Sequence, residues 1–139
     1  MANPGPATTV AIHPSQLGTN QALRLLAVQK GVNLSATGDT VLPIINSTNY
    51  AVANVIVSNP SVALSTAAAG LFTAPSGASG SGTAIVASNT FTLSTGALVQ
   101  ETVATPSTIF GGQNLYFNVA TAQGSGVTAD VYVYGYDLS

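Results

Sequence analysis

The sequence contains no cysteine and very little charge, and each absence excludes a class of function. Without cysteine the chain forms no disulfide and no thiolate metal site. Its two basic residues are too few to hold a phosphate backbone, so nucleic acid is not expected as a partner. A basic helix lying on a membrane surface is excluded for the same reason. We expect neither a metal nor a cofactor.

Charged side chains make up 4% of the chain, against about 25% in an ordinary soluble domain. They are Arg24, Lys30, Asp39, Glu101, Asp130 and Asp137. The net charge of −2 gives little mutual repulsion, so copies can approach one another. Two interpretations follow: the surface is polar without being ionic, or much of it is covered in an assembly.

Long hydrophobic runs are also missing, although the mean hydropathy is positive. The best candidate, residues 50–72, is interrupted by Asn54, Asn59 and Pro60, and no run reaches the ~18 apolar residues of a membrane helix. The first residues lack the basic and apolar regions of a secretory signal. We therefore expect no membrane partner, and a protein made in a cytoplasm that stays there or in something assembled there.

The first part of the chain differs in amino-acid composition from the rest. Residues 1–22 contain Pro4, Pro6 and Pro14 and few large apolar side chains. Because proline fixes φ and cannot donate to a sheet, this stretch is predicted to be an extended arm. Residues 23–139 are predicted to form one domain.

Short apolar runs separated by turn signals every 8–12 residues occupy most of that domain. This spacing predicts seven to nine strands in an antiparallel β-sandwich of jelly-roll type, with helix below about a tenth of the residues. The predicted strands are residues 41–45, 50–57, 71–74, 84–87, 90–93, 97–103, 115–119 and 131–136. Residues 23–28 fit either a strand or the start of a short helix, and Gly31 is expected to end the element in either case. Residues 64–71, which contain an alanine triplet, fit one helical turn.

Two further local predictions concern turns and the core. Residues 37–40 read as a turn, and Pro43 places its strand at an edge or a bulge. The expected core residues are Val55, Ile56, Val57, Ile85, Val86 and Phe117.

The residues that catalysis needs are scarce. The one histidine, His13, lies in the predicted arm, and no Gly-x-Ser-x-Gly nucleophile motif occurs. The Gly- and Ser-rich loop 77–82 lacks the lysine of a phosphate-binding loop. Asp130 and Asp137 are seven residues apart on one strand, so they point to opposite faces. The chain is not expected to be an enzyme.

The last strand carries the clearest alternation in the sequence. Val131 and Val133 stand at one parity, and Tyr132, Tyr134 and Tyr136 at the other. The tyrosines either line the margin of the core or form a platform for a partner or a carbohydrate. The candidate contact residues are these three tyrosines together with Pro4, Pro6, His13, Pro14 and Arg24.

Several segments outside the arm carry a resemblance that covers roughly residues 31–138. They include Gly31-Val32-Asn33-Leu34, Thr37-Gly38-Asp39-Thr40, Gly70-Leu71-Phe72-Thr73-Ala74, Gly82-Thr83-Ala84-Ile85-Val86-Ala87 and Thr128-Ala129-Asp130-Val131-Tyr132-Val133-Tyr134-Gly135. With these segments the chain resembles small virion proteins of tailed bacteriophages. The resemblance implies a capsid decoration (cement) protein, a small β module that binds the major capsid protein as a homotrimer on the capsid surface.

Two other functions remain open at the level of sequence. One is a receptor- or glycan-binding module of a phage head fibre or tail fibre. The other is a small hydrolase, which would have to recruit His13 and would lose turnover in His13→Ala.

Overall fold

The computed structural model describes residues 23–139, and within them the chain is built almost entirely from β-strands. The predicted arm, with Pro4, Pro6, His13 and Pro14, lies outside the described residues. The eight strands are β1 (Arg24–Asn33), β2 (Gly38–Pro43), β3 (Tyr50–Ser58), β4 (Ala68–Phe72), β5 (Ala84–Thr90), β6 (Leu98–Glu101), β7 (Asn114–Thr121) and β8 (Thr128–Asp137). The only helical element in the described part is the 3-10 turn Gly77–Ser79. The all-β prediction is confirmed.

The strands form two four-stranded antiparallel sheets. The first sheet has the order β1-β8-β3-β6, and the second has the order β2-β7-β4-β5. The pairing is nested along the chain, because β1 pairs with β8, β2 with β7, β3 with β6 and β4 with β5. Apart from the connection between β4 and β5, every connection crosses from one sheet to the other.

Buried side chains from both sheets belong to one hydrophobic cluster. Val55 and Val131 come from the first sheet, and Leu71, Phe117 and Val119 come from the second. We call the face of each sheet that supplies this cluster its inner face, and the opposite face its outer face. Side chains alternate between the two faces of a strand, so the valines of β8 enter the core and its tyrosines do not.

The core prediction is confirmed for five of its six residues: Val55, Val57, Ile85, Val86 and Phe117 are buried. It is wrong for Ile56, which is only half-buried. Val55 and Val57 point inward, so Ile56 between them points outward, where it lies opposite Tyr132 of β8. A strand that is apolar at both parities does not reveal which parity faces the core.

The first strand corrects the prediction that Gly31 ends it. β1 runs through Gly31 to Asn33, and its register against β8 shifts between Gln29 and Val32. Gly31 has φ 66, which a side chain rarely tolerates, and its N–H donates to the Asp130 carboxylate at 2.9 Å. Gly31 therefore marks an irregularity, such as a bulge, inside a strand. Of the two structures predicted for residues 23–28, strand or short helix, the structure has the strand.

Three other local predictions are corrected. Residues 64–71 form no helical turn, because Leu64 forms a bridge with Leu93 and residues 68–71 belong to β4. β5 covers the strand predicted at 84–87 and continues to Thr90, whereas the strand predicted at 90–93 is reduced to an isolated bridge between Leu93 and Leu64. Residues 37–40 are not a separate turn because β2 begins at Gly38. In each case pairing with a neighbouring strand outweighs the local preference. Pro43 lies on β2, an edge strand, as predicted.

Candidate contact surface

The outer face of the first sheet carries the tyrosines of β8. We call it the tyrosine face, and it consists of Leu25, Val28, Asn54, Ile56, Leu98, Gln100, Tyr132, Tyr134 and Tyr136. One row crosses all four strands, because Val28 and Ile56 flank Tyr132 and Gln100 lies beyond Ile56. Directly opposed side chains in antiparallel strands are close enough to contact one another. The row is therefore a continuous, mainly apolar strip.

The tyrosine face is partly open to solvent. Leu98 is 63% exposed and Tyr136 is 40% exposed. Tyr132, Tyr134 and Val28 are half-buried by their neighbours in the sheet. The tyrosines therefore lie outside the core, half-buried at Tyr132 and Tyr134 and exposed at Tyr136.

Charge is confined to the borders of this face. At one end Asp130 accepts hydrogen bonds from Gly31 N–H at 2.9 Å and from Asn59 Nδ2 at 3.4 Å. At the other end of the sheet the Arg24 guanidinium pairs with the Asp137 carboxylate at 3.0 Å, from strand positions of the parity opposite to that of the tyrosines. Between these ends the strip is uncharged, so a partner gains little from an ionic patch and must match it by shape and hydrogen bonding.

The Arg24–Asp137 pair is held by several further contacts. Asp137 accepts hydrogen bonds from the Ser139 hydroxyl at 2.5 Å, the Ser139 N–H at 3.1 Å and the Ser47 hydroxyl at 2.8 Å. Arg24 also donates to the Ile45 carbonyl oxygen. The Ser139 hydrogen bonds, then Ser47 and Arg24, lower the pKa of Asp137 from 3.8 to about 2. Arg24, a candidate contact residue, is thus already engaged in fastening the start of β1 to the end of β8.

The outer face of the second sheet is different, because the connection between β4 and β5 folds over it. Phe72 lies on that face opposite Tyr116 but is only 2% exposed. Gly77 of this connection sits so close to Asn118 that a Cβ would collide with its side chain. The Ser76 N–H and the Asn118 amide each donate to Asp39 at 2.9 Å and fix the cover in place.

The four carboxylates of the chain are held by separate sets of partners. Asp39 is bound by Ser76 and Asn118, and Glu101 accepts a 2.6 Å hydrogen bond from the Asn89 amide. Asp130 and Asp137 lie near opposite ends of β8. Within residues 23–139 no group of three or more potential metal ligands is assembled. In the same range no helix is long and apolar enough to cross a membrane.

Comparison of the chain with family models, curated proteins and solved structures gives no match. The function is therefore inferred from the residues of the chain itself. Sequence alternation identified the tyrosines of this surface. It missed Ile56, Leu25 and Val28, which complete the strip, because their side of the strand depends on strand pairing that no local pattern records.

Proposed function

We propose that the chain is a structural protein of a tailed-phage particle that decorates or cements the capsid by binding its outer surface as an oligomer. The observation that carries the proposal is the tyrosine face, an uncharged aromatic strip on one side of a two-sheet domain. Tyrosine combines a large apolar ring with a polar tip and is enriched at protein interfaces. The partners are further copies of the chain, most simply as a homotrimer, and the major capsid protein.

The arrangement of the strands in the two sheets also supports this proposal. The nested pairing of first strand with last, second with seventh, third with sixth and fourth with fifth is what results when one long antiparallel ladder is rolled into two sheets. We assign this arrangement to a jelly-roll β-sandwich, with both inner faces contributing to one core. Jelly rolls recur in viral capsid proteins and in lectins.

The low charge also favours a protein that functions as part of an assembly. Arg24 is committed to Asp137, so among the described residues Lys30 is the only basic side chain outside an ion pair. A surface with so few ions repels its own copies weakly, and symmetric closed oligomers are the usual way for copies to cover such a surface. The protein would be made in the host cytoplasm and reside in the virion.

An alternative function is a receptor- or glycan-binding module of a phage head fibre or tail fibre. The three tyrosines on one face favour it, because sugar rings pack against aromatic faces and lectins share the jelly-roll architecture. This alternative predicts few copies per particle and binding to cells or glycans.

Copy number in purified particles separates the two functions. Quantitative gel analysis of particles of the encoding phage should give hundreds of copies of the chain per capsid, located on the shell by image reconstruction. A handful of copies at a vertex or tail would overturn decoration and support the fibre module.

A matched pair of variants tests the surface. Tyr132→Ser should reduce binding to particles lacking the chain at least tenfold, because it removes the ring at the centre of the strip. Tyr116→Ser makes the same change on the outer face of the second sheet and should bind as wild type. Equal binding by the two variants would show that the tyrosine face is not the contact.

A further inference from the structure

A groove lies where β5 and β6 form the edges of the two sheets. It has a volume of about 440 Å³ and is lined by Ala87, Ser88, Asn89, Val99, Gln100, Glu101, Thr102 and Ala104. The Asn89 amide reaches across to Glu101 at 2.6 Å, and Val99 packs against the core at its base. The lining side chains are mostly small, so an extended chain can approach the backbone of either strand.

Both strands that border the groove are edge strands of their sheets. β6 pairs only with β3, and β5 pairs only with β4. The N–H of Ala104 donates to the Ile85 carbonyl at 2.7 Å and closes β5 at that point. Within residues 23–139 no strand pairs with the outer edge of β6. Unpaired backbone groups on an edge strand are a template for another strand.

The edges of β1 and β2 are protected, and that of β5 is closed at Ile85, whereas the outer edge of β6 is open. On β1 the Leu26 carbonyl accepts from the Ile45 N–H at 2.8 Å, and β2 carries Pro43. Such contacts, charges and prolines are the usual means of blocking an edge. β5 has no charge and no proline. The one charge of β6, Glu101, is engaged with Asn89 across the groove.

The chain contains a segment suited to fill this place. Residues 8–13, Thr-Thr-Val-Ala-Ile-His, include four β-branched residues and lie between Pro6 and Pro14. In a strand, Thr8, Val10 and Ile12 share one face and Thr9, Ala11 and His13 the other, a half-buried pattern. The first set suits the apolar base of the groove, and the second suits solvent.

We propose that residues 8–13 of one copy add as a strand to the free edge of β6 of a neighbouring copy, in the groove between β5 and β6. This proposal rests on the oligomer proposed above. β1, to which the segment is joined, and β6 are opposite edges of the same sheet. When copies stand side by side, the β1 edge of one copy lies next to the β6 edge of its neighbour. The neighbouring groove is then reached without crossing a sheet, whereas its own groove lies about 14 Å away across three strand spacings.

Head-to-tail exchange of this kind fits a ring. Donor and acceptor are different surfaces, so the contact is heterologous and closes when the rotation between copies permits it. The nine residues 14–22 can span at most about 30 Å, which is enough to join adjacent domains and limits how far apart they stand. A homotrimer would bury three such strands.

Engineered disulfides test the contact directly, because the chain has no cysteine of its own. Three double variants of the full-length protein each carry Gln100→Cys on β6, combined with Thr9→Cys, Ala11→Cys or His13→Cys. These three positions lie on the same face of the added strand, so together they test three alignments of the strand against β6. Mild oxidation should give dimers and closed oligomers on non-reducing gels for at least one pair, and reduction should return them to monomer. In the matched control, Val41→Cys, at an exposed position on the β2 edge, takes the place of Gln100→Cys. The control should give no disulfide-linked oligomers.

Mixing separates exchange between copies from folding back within a copy. Copies with only the donor cysteine, mixed and refolded with copies carrying only Gln100→Cys, should yield mixed dimers. A double variant that cross-links only within a monomer, or a set that never cross-links above the Val41→Cys control, overturns the proposal.

A backbone variant gives a second, independent measurement. Val10→Pro removes a backbone donor inside the run and should abolish the oligomer in sedimentation, while Gln16→Pro, outside the run, should leave it intact. An oligomer unaffected by Val10→Pro would overturn strand addition. All of these measurements use free protein, so failure to bind capsids would count against the proposed function and leave the strand exchange standing.

Discussion

The two sheets are built alike on the inside and differ on the outside. Each contributes alternating apolar side chains to the shared core, and each has an outer face with a large aromatic residue near its centre. On the second sheet that residue, Phe72, is sealed by the connection between β4 and β5. On the first sheet the aromatic residues are the tyrosines of β8, which stay partly open.

The comparison shows that the burial of an aromatic side chain on an outer face follows from whether the side chain has a polar group. Phenylalanine has no polar group and is covered within the described chain. Tyrosine has a hydroxyl that hydrogen-bonds with water or a partner, so an exposed position is less costly to maintain.

The largest expected effect tests the difference between the inner and outer faces. Phe117→Ala removes a buried ring that stacks on Phe91 at 6.5 Å between ring centroids, and it should lower the free energy of unfolding by about 3–5 kcal/mol. Ile56→Ala on the tyrosine face is the counterpart and should cost below about 1.5 kcal/mol, because the side chain is only half-buried. Chemical denaturation measures both. A cost of Ile56→Ala as large as that of Phe117→Ala would show that the outer strip is part of the core.

The next expected effect concerns the cover over the second sheet. Gly77→Ala places a Cβ against the Asn118 side chain at a residue with φ 54, and it should cost about 1–3 kcal/mol. Gly96→Ala has a similar φ of 74 but open space around it, so it isolates backbone strain from collision. The prediction is a larger loss for Gly77→Ala than for Gly96→Ala, with faster proteolysis within residues 73–83. Equal losses would mean that the cover is not tightly packed.

Many features of the fold could be predicted from the sequence. The division between the features that could be predicted and those that could not has a physical cause. The alternation of Val131 and Val133 with the tyrosines predicted β8 and separated its two faces, because a strand with one buried side records that side in every second residue. It left open which of the two faces is buried. The β character of the chain and the approximate strand count followed from the spacing of turn signals.

The failures lie where long-range pairing decides. Ile56 sits in a strand that is apolar at both parities, so its face is fixed only by pairing with β8. Gly31 looks like a terminator locally, yet a hydrogen bond to Asp130, 99 positions along the chain, carries β1 past it. The groove between β5 and β6 combines residues from two sheets, and no sequence motif brings them together.

A smaller effect is expected at alkaline pH, at one end of the first sheet. Tyr50 is buried beside Phe110, and its hydroxyl donates to the Gly112 carbonyl at 2.6 Å. Burial raises the pKa of Tyr50 from 10.0 to about 12. The folded state therefore resists ionisation that the unfolded state accepts, so stability should be intact below pH 10 and fall as the pH rises from 10 towards 12. Tyr50→Phe should flatten that part of the thermal-stability profile, and an unchanged alkaline profile would contradict the burial of this hydroxyl.

The smallest expected effect lies at the end of the first sheet where β1 begins and β8 ends, and it appears in acid. Hydrogen bonds from Ser139 and Ser47, with the charge of Arg24, lower the pKa of Asp137 from 3.8 to about 2. The folded state holds the carboxylate ionised where the unfolded state takes up a proton, so its contribution is complete above pH 4 and lost as the pH falls towards 2. Asp137→Asn should reduce the acid dependence of the melting temperature in that window, and only slightly, because the pair is partly exposed and solvent weakens it. Asp39→Asn, at the cover of the second sheet, is the matched change on the other side of the domain. If Asp137→Asn left the acid profile unchanged, the contacts that fasten the start of β1 to the end of β8 would contribute too little to stability to be measured, and this end of the first sheet would be looser than its hydrogen bonds indicate.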